Sequence, residues 1–150
     1  MIYHFSAPVM KTKCQEVTLD QAKLLVPGFV AAWKIYYTAV GIAAPQIGAA
    51  ARVFFFDPDR NTRKRRYGKP MLVVNPVLLS KSEEQNEMVE GCLSCPRKVA
   101  LVTRPTFITM EFTDELGARK IKAFDGFAAR VVQHELEHLE GLSITRFITY

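Results

Sequence analysis

His134, Glu135 and His138 form an H-E-x-x-H run within Gln133-His134-Glu135-Leu136-Glu137-His138-Leu139-Glu140-Gly141, near the end of a chain of 150 residues. On a helix, positions i and i+4 share a face. Both imidazoles can therefore address one metal ion, with Glu135 beside it as a proton acceptor. A catalytic metal of this kind takes three protein ligands and keeps one position open for water. The residues after His138 include no further His, and their one carboxylate, Glu140, is too close along the same helix to turn back. The downstream completions used by zinc proteases are thus missing, and the third ligand must come from upstream. His4 lies in an irregular arm and Cys14 in a basic polar segment. Cys92 is the best placed, because Gly91 leaves room above a thiolate at the edge of a sheet. Cys95, just ahead of Pro96, alternates to the opposite side of that strand and is expected to pack in the core.

The motif also occurs by accident on solvated helices, so its setting matters. Phe127, Ala128, Val131, Val132, Leu136 and Leu139 leave little of this helix polar, with Asp125 as its expected cap and Gly141 as its stop. Such a helix is central. Polar groups on it would cost about 1–3 kcal/mol each if buried without partners, a cost that a metal resolves. Upstream, Thr18 and Gln21 fit a capping box, and Ala22, Leu25, Val26, Phe29, Trp33, Tyr36, Tyr37 and Val40 recur at helical spacing. The spacing predicts a helix kinked or restarted at Pro27-Gly28, its aromatic stripe serving core packing. Short strands are expected over 52–57 and 71–75, with 77–80 continuing the second, and over 98–103. Residues 105–112 and 119–123 should pair as an antiparallel hairpin around Asp114-Glu115-Leu116-Gly117. Residues 2–17 read as an irregular arm, 81–87 as a polar connection and 142–150 as a short terminal strand. Small residues crowd 39–48, where Gln46 is either satisfied by nearby backbone or donates a hydrogen bond at a reaction centre beside a peptide-docking edge.

Length and a hydrophobic content of 49% suit one globular domain over residues 1–150. The N-terminus has neither a signal-peptide nor a transit-peptide pattern, and no apolar run approaches a membrane span, which points to a protein of a reducing cytosol. Three cysteines are too few for a disulfide framework. The net charge of +5 is concentrated in Arg60, Arg63, Lys64, Arg65, Arg66 and Lys69. Such a run reads as a solvated loop or as a contact to the phosphates of RNA.

Three segments, Val40-Gly41-Ile42-Ala43-Ala44-Pro45-Gln46, Glu90-Gly91-Cys92-Leu93-Ser94 and Gln133-His134-Glu135-Leu136-Glu137-His138, together resemble the three signatures of the peptide deformylase family in order and spacing. The resemblance implies an α+β fold with antiparallel sheets around the C-terminal helix. It also implies removal of the formyl group from formyl-methionine at the N-terminus of nascent polypeptides, in the cytoplasm, by a monomer. Cys92, His134 and His138 would hold Fe²⁺, replaceable by Zn²⁺, Ni²⁺ or Co²⁺. Glu135 would take the proton of the attacking water and deliver one to the leaving amine. Gln46 and the Leu93 N–H would steady the oxyanion. Val40 and Gly41 on one side, with Glu90 and Gly91 on the other, would bind the peptide, and Val40, Met88, Phe127 and Val131 would line the methionine pocket. Where the family pattern has Gly, Leu and Asp, this chain has Ala39, Ile42 and Glu137. If the first position needs a positive φ, alanine strains the loop, and the longer Glu137 must rearrange its contacts. A chain ending at Tyr150 resembles short phage-encoded forms without a C-terminal helix, leaving ribosome docking to diffusion or to the basic loop at 60–69. Two other readings compete: a metallopeptidase, and a non-catalytic metal or redox-sensing module built on Cys92.

Overall fold

The computed structural model describes residues 1–61 and 64–148. Its elements run α1 (Leu19–Lys23), α2 (Val26–Ile35), β1 (Gly41–Ala43), β2 (Val53–Phe56), β3 (Met71–Lys81), β4 (Gln85–Gly91), β5 (Val99–Pro105), β6 (Phe107–Thr113), β7 (Arg119–Asp125) and α3 (Gly126–Leu139). Single helical turns stand at Pro8–Lys11, Ala44–Ile47 and Ile144–Phe147. Five strands form one antiparallel sheet in the order β1-β2-β3-β6-β7, and β4 pairs with β5 in a second.

β2 shows why the large sheet is covered on both sides. All four of its residues are buried. Phe54 and Phe56 point into a core shared with Val131, Val132 and Leu139 of α3. Val53 and Phe55 point the other way, where Phe55 stacks on Phe29 of α2 at 5.5 Å and meets the edge of Trp33 at 5.3 Å. Successive strand side chains face opposite sides, so a continuous apolar run demands a layer on each face. β3 outlasts this double cover. Asn75 takes a φ of 49° at a register shift between Val74 and Val77, its side chain clasps the Val17 backbone at 2.8 and 3.0 Å, and the strand continues solvent-exposed from Val77 through Lys81.

The structure corrects several expectations. The first helix is two helices: the break falls at Leu24-Leu25, Pro27 sits inside the first turn of α2, and α2 ends at Ile35 rather than near Val40. Proline lacks the N–H that the first turn leaves unbonded, so it opens a helix without loss. Capping by Thr18 and Gln21 is present as read. Asp125 occupies the cap position of α3 without a side-chain cap bond, and Gly141 at φ 77° follows the helix end. In place of a terminal strand, Ser143 accepts the Thr145 N–H and starts a helical turn that buries Ile144, while Thr149 and Tyr150 lie outside the described residues. β4 begins within the expected polar connection, at Gln85. Ala39 has no left-handed φ, so that departure from the family pattern costs no backbone strain.

Candidate metal centre

α3 carries His134, Glu135 and His138, the end of β4 delivers Cys92, and β1 with the turn after it delivers Gly41 and Gln46. The donor atoms of Cys92, His134 and His138 all lie within 4.8 Å of one another, and Cys92 Sγ is 3.4 Å from His138 Nε2. Each imidazole is oriented from behind. His134 Nδ1 is 3.0 Å from Glu90 Oε1, and His138 Nδ1 is 3.1 Å from the Leu142 carbonyl oxygen. When the Nδ1–H of each ring is donated outward, the Nε2 lone pair remains for a metal. Burial, then the neighbouring His134, holds His138 well below the ordinary imidazole value, which keeps it neutral.

The carboxylate behind His134 belongs to a buried network. Arg104 donates to Glu90 at 2.6 and 2.8 Å, Arg130 donates to Glu90 at 2.6 Å, and Arg104 also reaches Glu137 at 2.6 Å. Arg130 further donates to the Val102 carbonyl and to Asn86, tying α3 to the β4–β5 sheet. Burial alone would raise the Glu90 carboxyl, but hydrogen bonds from Arg104 and His134 outweigh it and hold the group well below the carboxylate range. Glu137 completes the set by pairing with Arg146 at 2.8 Å. Glu90, expected beside the peptide, thus turns its side chain to the ligand-holding network, while residues 90 and 91 still border the cavity.

Glu135 differs from every other carboxylate nearby. It is 3% exposed, and its Oε2 has no hydrogen-bond partner. Burial pushes its carboxyl up to about 7 against the pull of His134. An unpartnered carboxylate oxygen on a buried helix is costly, and together with a thiol and two imidazoles converging on one point it fits a bound divalent metal and its water. Gly41 is part of the same fit: a Cβ there would stand 2.9 Å from Glu135 Oε1. Gln46, 1% exposed, accepts the Ala43 N–H at 2.9 Å, which turns its amide nitrogen toward Ser94 Oγ at 3.1 Å and Cys92 Sγ at 3.7 Å. A cavity of about 630 Å³ opens here, lined among others by Val40, Met88, Leu93, Phe127 and Val131.

Twelve of the thirteen residues named from sequence line the cavity, and the thirteenth, His138, is fully buried with its donor atom grouped with those of Cys92 and His134. Cys95 is 1% exposed, as expected of a core residue, but it sits in a turn after β4 rather than on the strand. Arg104 and Arg130 are site residues that the sequence motifs do not include. Their signal was a single charge inside an apolar strand and another inside an apolar helix, since a buried arginine requires a carboxylate partner.

Two imidazoles and a thiol at one point beside an unpartnered carboxylate, on the central helix of an antiparallel α+β fold, make a centre of the kind that metal-dependent hydrolases use. Residues 1–149 match the Polypeptide deformylase family model, and the chain belongs to the peptide deformylase family. A peptide deformylase of Pelodictyon phaeoclathratiforme is 42% identical over 104 residues, a match that covers 69% of this chain and 54% of that one. Among solved structures, a probable peptide deformylase from Synechococcus phage S-SSM7 superposes with a TM-score of 0.87 at 34% identity, covering 99% of both chains. A Met-Ala-Ser-bound class I type b peptide deformylase from Acinetobacter baumannii gives a TM-score of 0.88 at 28% identity, covering 99% of this chain and 97% of that one.

Proposed function

We propose that this chain hydrolyses the N-formyl group from formyl-methionine at the start of nascent polypeptides, releasing formate, as one catalytic domain over residues 1–150 and as a cytoplasmic monomer. The observation that carries the proposal is the unpartnered Glu135 Oε2 beside three donor atoms grouped within 4.8 Å. Cys92, His134 and His138 would hold Fe²⁺, with Zn²⁺, Ni²⁺ or Co²⁺ as substitutes. That metal would supply Lewis acidity toward the formyl oxygen and toward water. Glu135 takes the proton of the attacking water and delivers one to the departing amine, and its pKa near neutrality suits both steps. Gln46, its carbonyl fixed by Ala43, presents N–H groups to the oxyanion together with the Leu93 N–H. Val40 and Gly41 offer an edge to the peptide backbone opposite Glu90 and Gly91. Val40, Met88, Phe127 and Val131 bound an apolar recess suited to a methionine side chain. The Met-Ala-Ser held by the Acinetobacter relative supports a peptide with N-terminal methionine as the occupant.

Formate release from a formyl-Met tripeptide by anaerobically purified protein tests the reaction. Glu135→Gln should lower kcat by about 10²–10⁴-fold with metal content unchanged, and Cys92→Ser should lose metal. Cleavage of internal peptide bonds without formate would establish the metallopeptidase instead.

Ribosome contact through the basic loop belongs to the same proposal, in narrowed form. Arg60 is stacked over Trp33 and Tyr67 and bonds the Tyr37 carbonyl, so it serves the fold. Asn61 and Arg66 close a small hairpin whose Lys64, Arg65 and Arg66 are exposed, and Arg63 lies outside the described residues. No helix among the described residues is long and apolar enough to cross a membrane. Neutralising Lys64, Arg65 and Arg66 should reduce co-sedimentation with ribosomes at low salt. Unchanged co-sedimentation would remove this part.

A further inference from the structure

We infer that Cys92 and Cys95 form an oxidisable dithiol, able to take the proposed metal ligand reversibly into a disulfide. The pair is a C-x-x-C turn: the Cys95 N–H donates to the Cys92 carbonyl at 3.0 Å. A turn of this kind keeps its end Cα atoms within about 7 Å, overlapping the 4.4–6.8 Å range of disulfides. Both thiols border the cavity beside α3. Cys95 otherwise packs with Ala100, Val102 and Ile144, a setting that a valine would also fill. Cys14 points its thiol toward the Thr12 carbonyl and borders the cavity on the other face of α3, so it does not compete.

Hydrogen peroxide is a sufficient oxidant. One of the two sulfurs attacks one peroxide oxygen, the O–O bond breaks, and water leaves a sulfenic acid. The other sulfur then attacks the oxidised one, the S–O bond breaks with loss of a second water, and the S–S bond forms. Two thiols lose two electrons and two protons, and one peroxide becomes two waters. A dithiol reductant restores both thiols by exchange. Without Cys95, the sulfenic acid has no neighbouring thiol and proceeds to irreversible acids.

The consequence for metal rests on the proposed ligand role of Cys92, whereas the chemistry of the pair does not. Metal-free protein is treated with hydrogen peroxide, alkylated and digested with trypsin, and peptide 82–97, which contains both cysteines, is weighed. Wild type should show a loss of about 2 Da that dithiothreitol reverses. Cys95→Val and Cys95→Ser should instead gain about 32 or 48 Da at Cys92. After reduction, Co²⁺ binding should return in wild type and stay about tenfold lower in both variants. Equal Co²⁺ binding by all three proteins before oxidation shows that the variants fold. Irreversible acids in wild type, or equal recovery by the variants, would overturn the inference. Failure of unoxidised wild type to bind Co²⁺ would overturn the metal reading instead, with the mass result still deciding the pair.

Discussion

The two faces of α3 treat polar side chains in opposite ways. On the front, His134 and Glu135 border the metal cavity, and the key oxygen of Glu135 has no partner. On the back, Gln133, Leu136, Glu137 and Glu140 border a cavity of about 830 Å³ together with Lys13, Arg52, Arg104 and Arg146. There the charges are matched. Glu137 pairs with Arg104 and Arg146, Glu140 pairs with Arg52 and Lys13, and Gln133 donates to the Pro105 and Ala129 carbonyls. One face leaves a donor or acceptor idle and the other satisfies each, which separates groups retained for chemistry from groups retained for structure. Arg104 connects the faces, since it holds Glu137 at the back and, through Glu90, His134 at the front.

Removing that connection should produce the largest effect. Arg104→Met strips the main partner from Glu90, whose side chain is 7% exposed, and should destabilise the metal-free protein by about 3–5 kcal/mol in urea unfolding. It should also weaken metal binding about 10–100-fold, because Glu90 would no longer be held against His134. The same network sets the acid limit of wild type. With a folded pKa depressed below the unfolded value of about 4.3, Glu90 contributes fully above that pH, and its contribution is lost as pH falls further toward the folded value. Melting temperature of the metal-free protein should therefore fall more steeply below about pH 4 in wild type than in Arg104→Met. A parallel pH dependence would detach Glu90 from the network's energetics.

A front-face change should leave stability nearly intact and strike turnover. Gly41→Ala places a methyl 2.9 Å from Glu135 Oε1. The end of the Glu135 side chain must yield, carrying the proton acceptor away from its working position. Displacements on the order of 1 Å cost about 10²-fold. Formate release should fall by about that factor at unchanged metal content and melting temperature. Full activity would show that Glu135 tolerates displacement and is not the positioned base.

These couplings lie beyond what local sequence patterns encode. The i, i+4 spacing of the histidines placed His134 and His138 without reference to any other part of the chain, and the Gly91-Cys92 step picked out the third donor because local flexibility and thiol chemistry are both visible in single residues. Alternation predicted β6 and its hairpin with β7 for the same reason. Glu90 resisted such reading. Its partners Arg104, Arg130 and His134 lie 14, 40 and 44 positions away. Only the packing of β4 against β5 and α3 brings them together. Gly41 is expected at a peptide edge, yet its lack of a side chain also makes room for Glu135, 94 residues later, a close approach that no local pattern records. The break between α1 and α2 is hidden in the sequence because apolar periodicity runs through it, whereas Pro27 starts a helix as readily as it ends one.

The weakest expected effect tests whether matched charge on the back face is energetic everywhere or only where it is buried. Arg52 reaches Glu140 at 2.8 Å, but the Glu140 side chain is 42% exposed and shares its charge with Lys13, itself 73% exposed. Water and salt screen such a pair, so Glu140→Gln should change stability by no more than about 0.5 kcal/mol. Arg52 is better anchored, because it also donates to the Pro76 carbonyl at 3.0 Å, next to the bulge in β3. Arg52→Met should therefore cost more than Glu140→Gln, on the order of 1 kcal/mol. A double-mutant cycle over the two sites separates the terms. A coupling near zero would assign the value of Arg52 to the backbone it holds, leaving Arg104 as the ion-pair centre that matters on this side of α3. A coupling above about 1 kcal/mol would place the exposed end of the network on the same footing as its buried end, and the distinction between the faces would then rest on Glu135 alone.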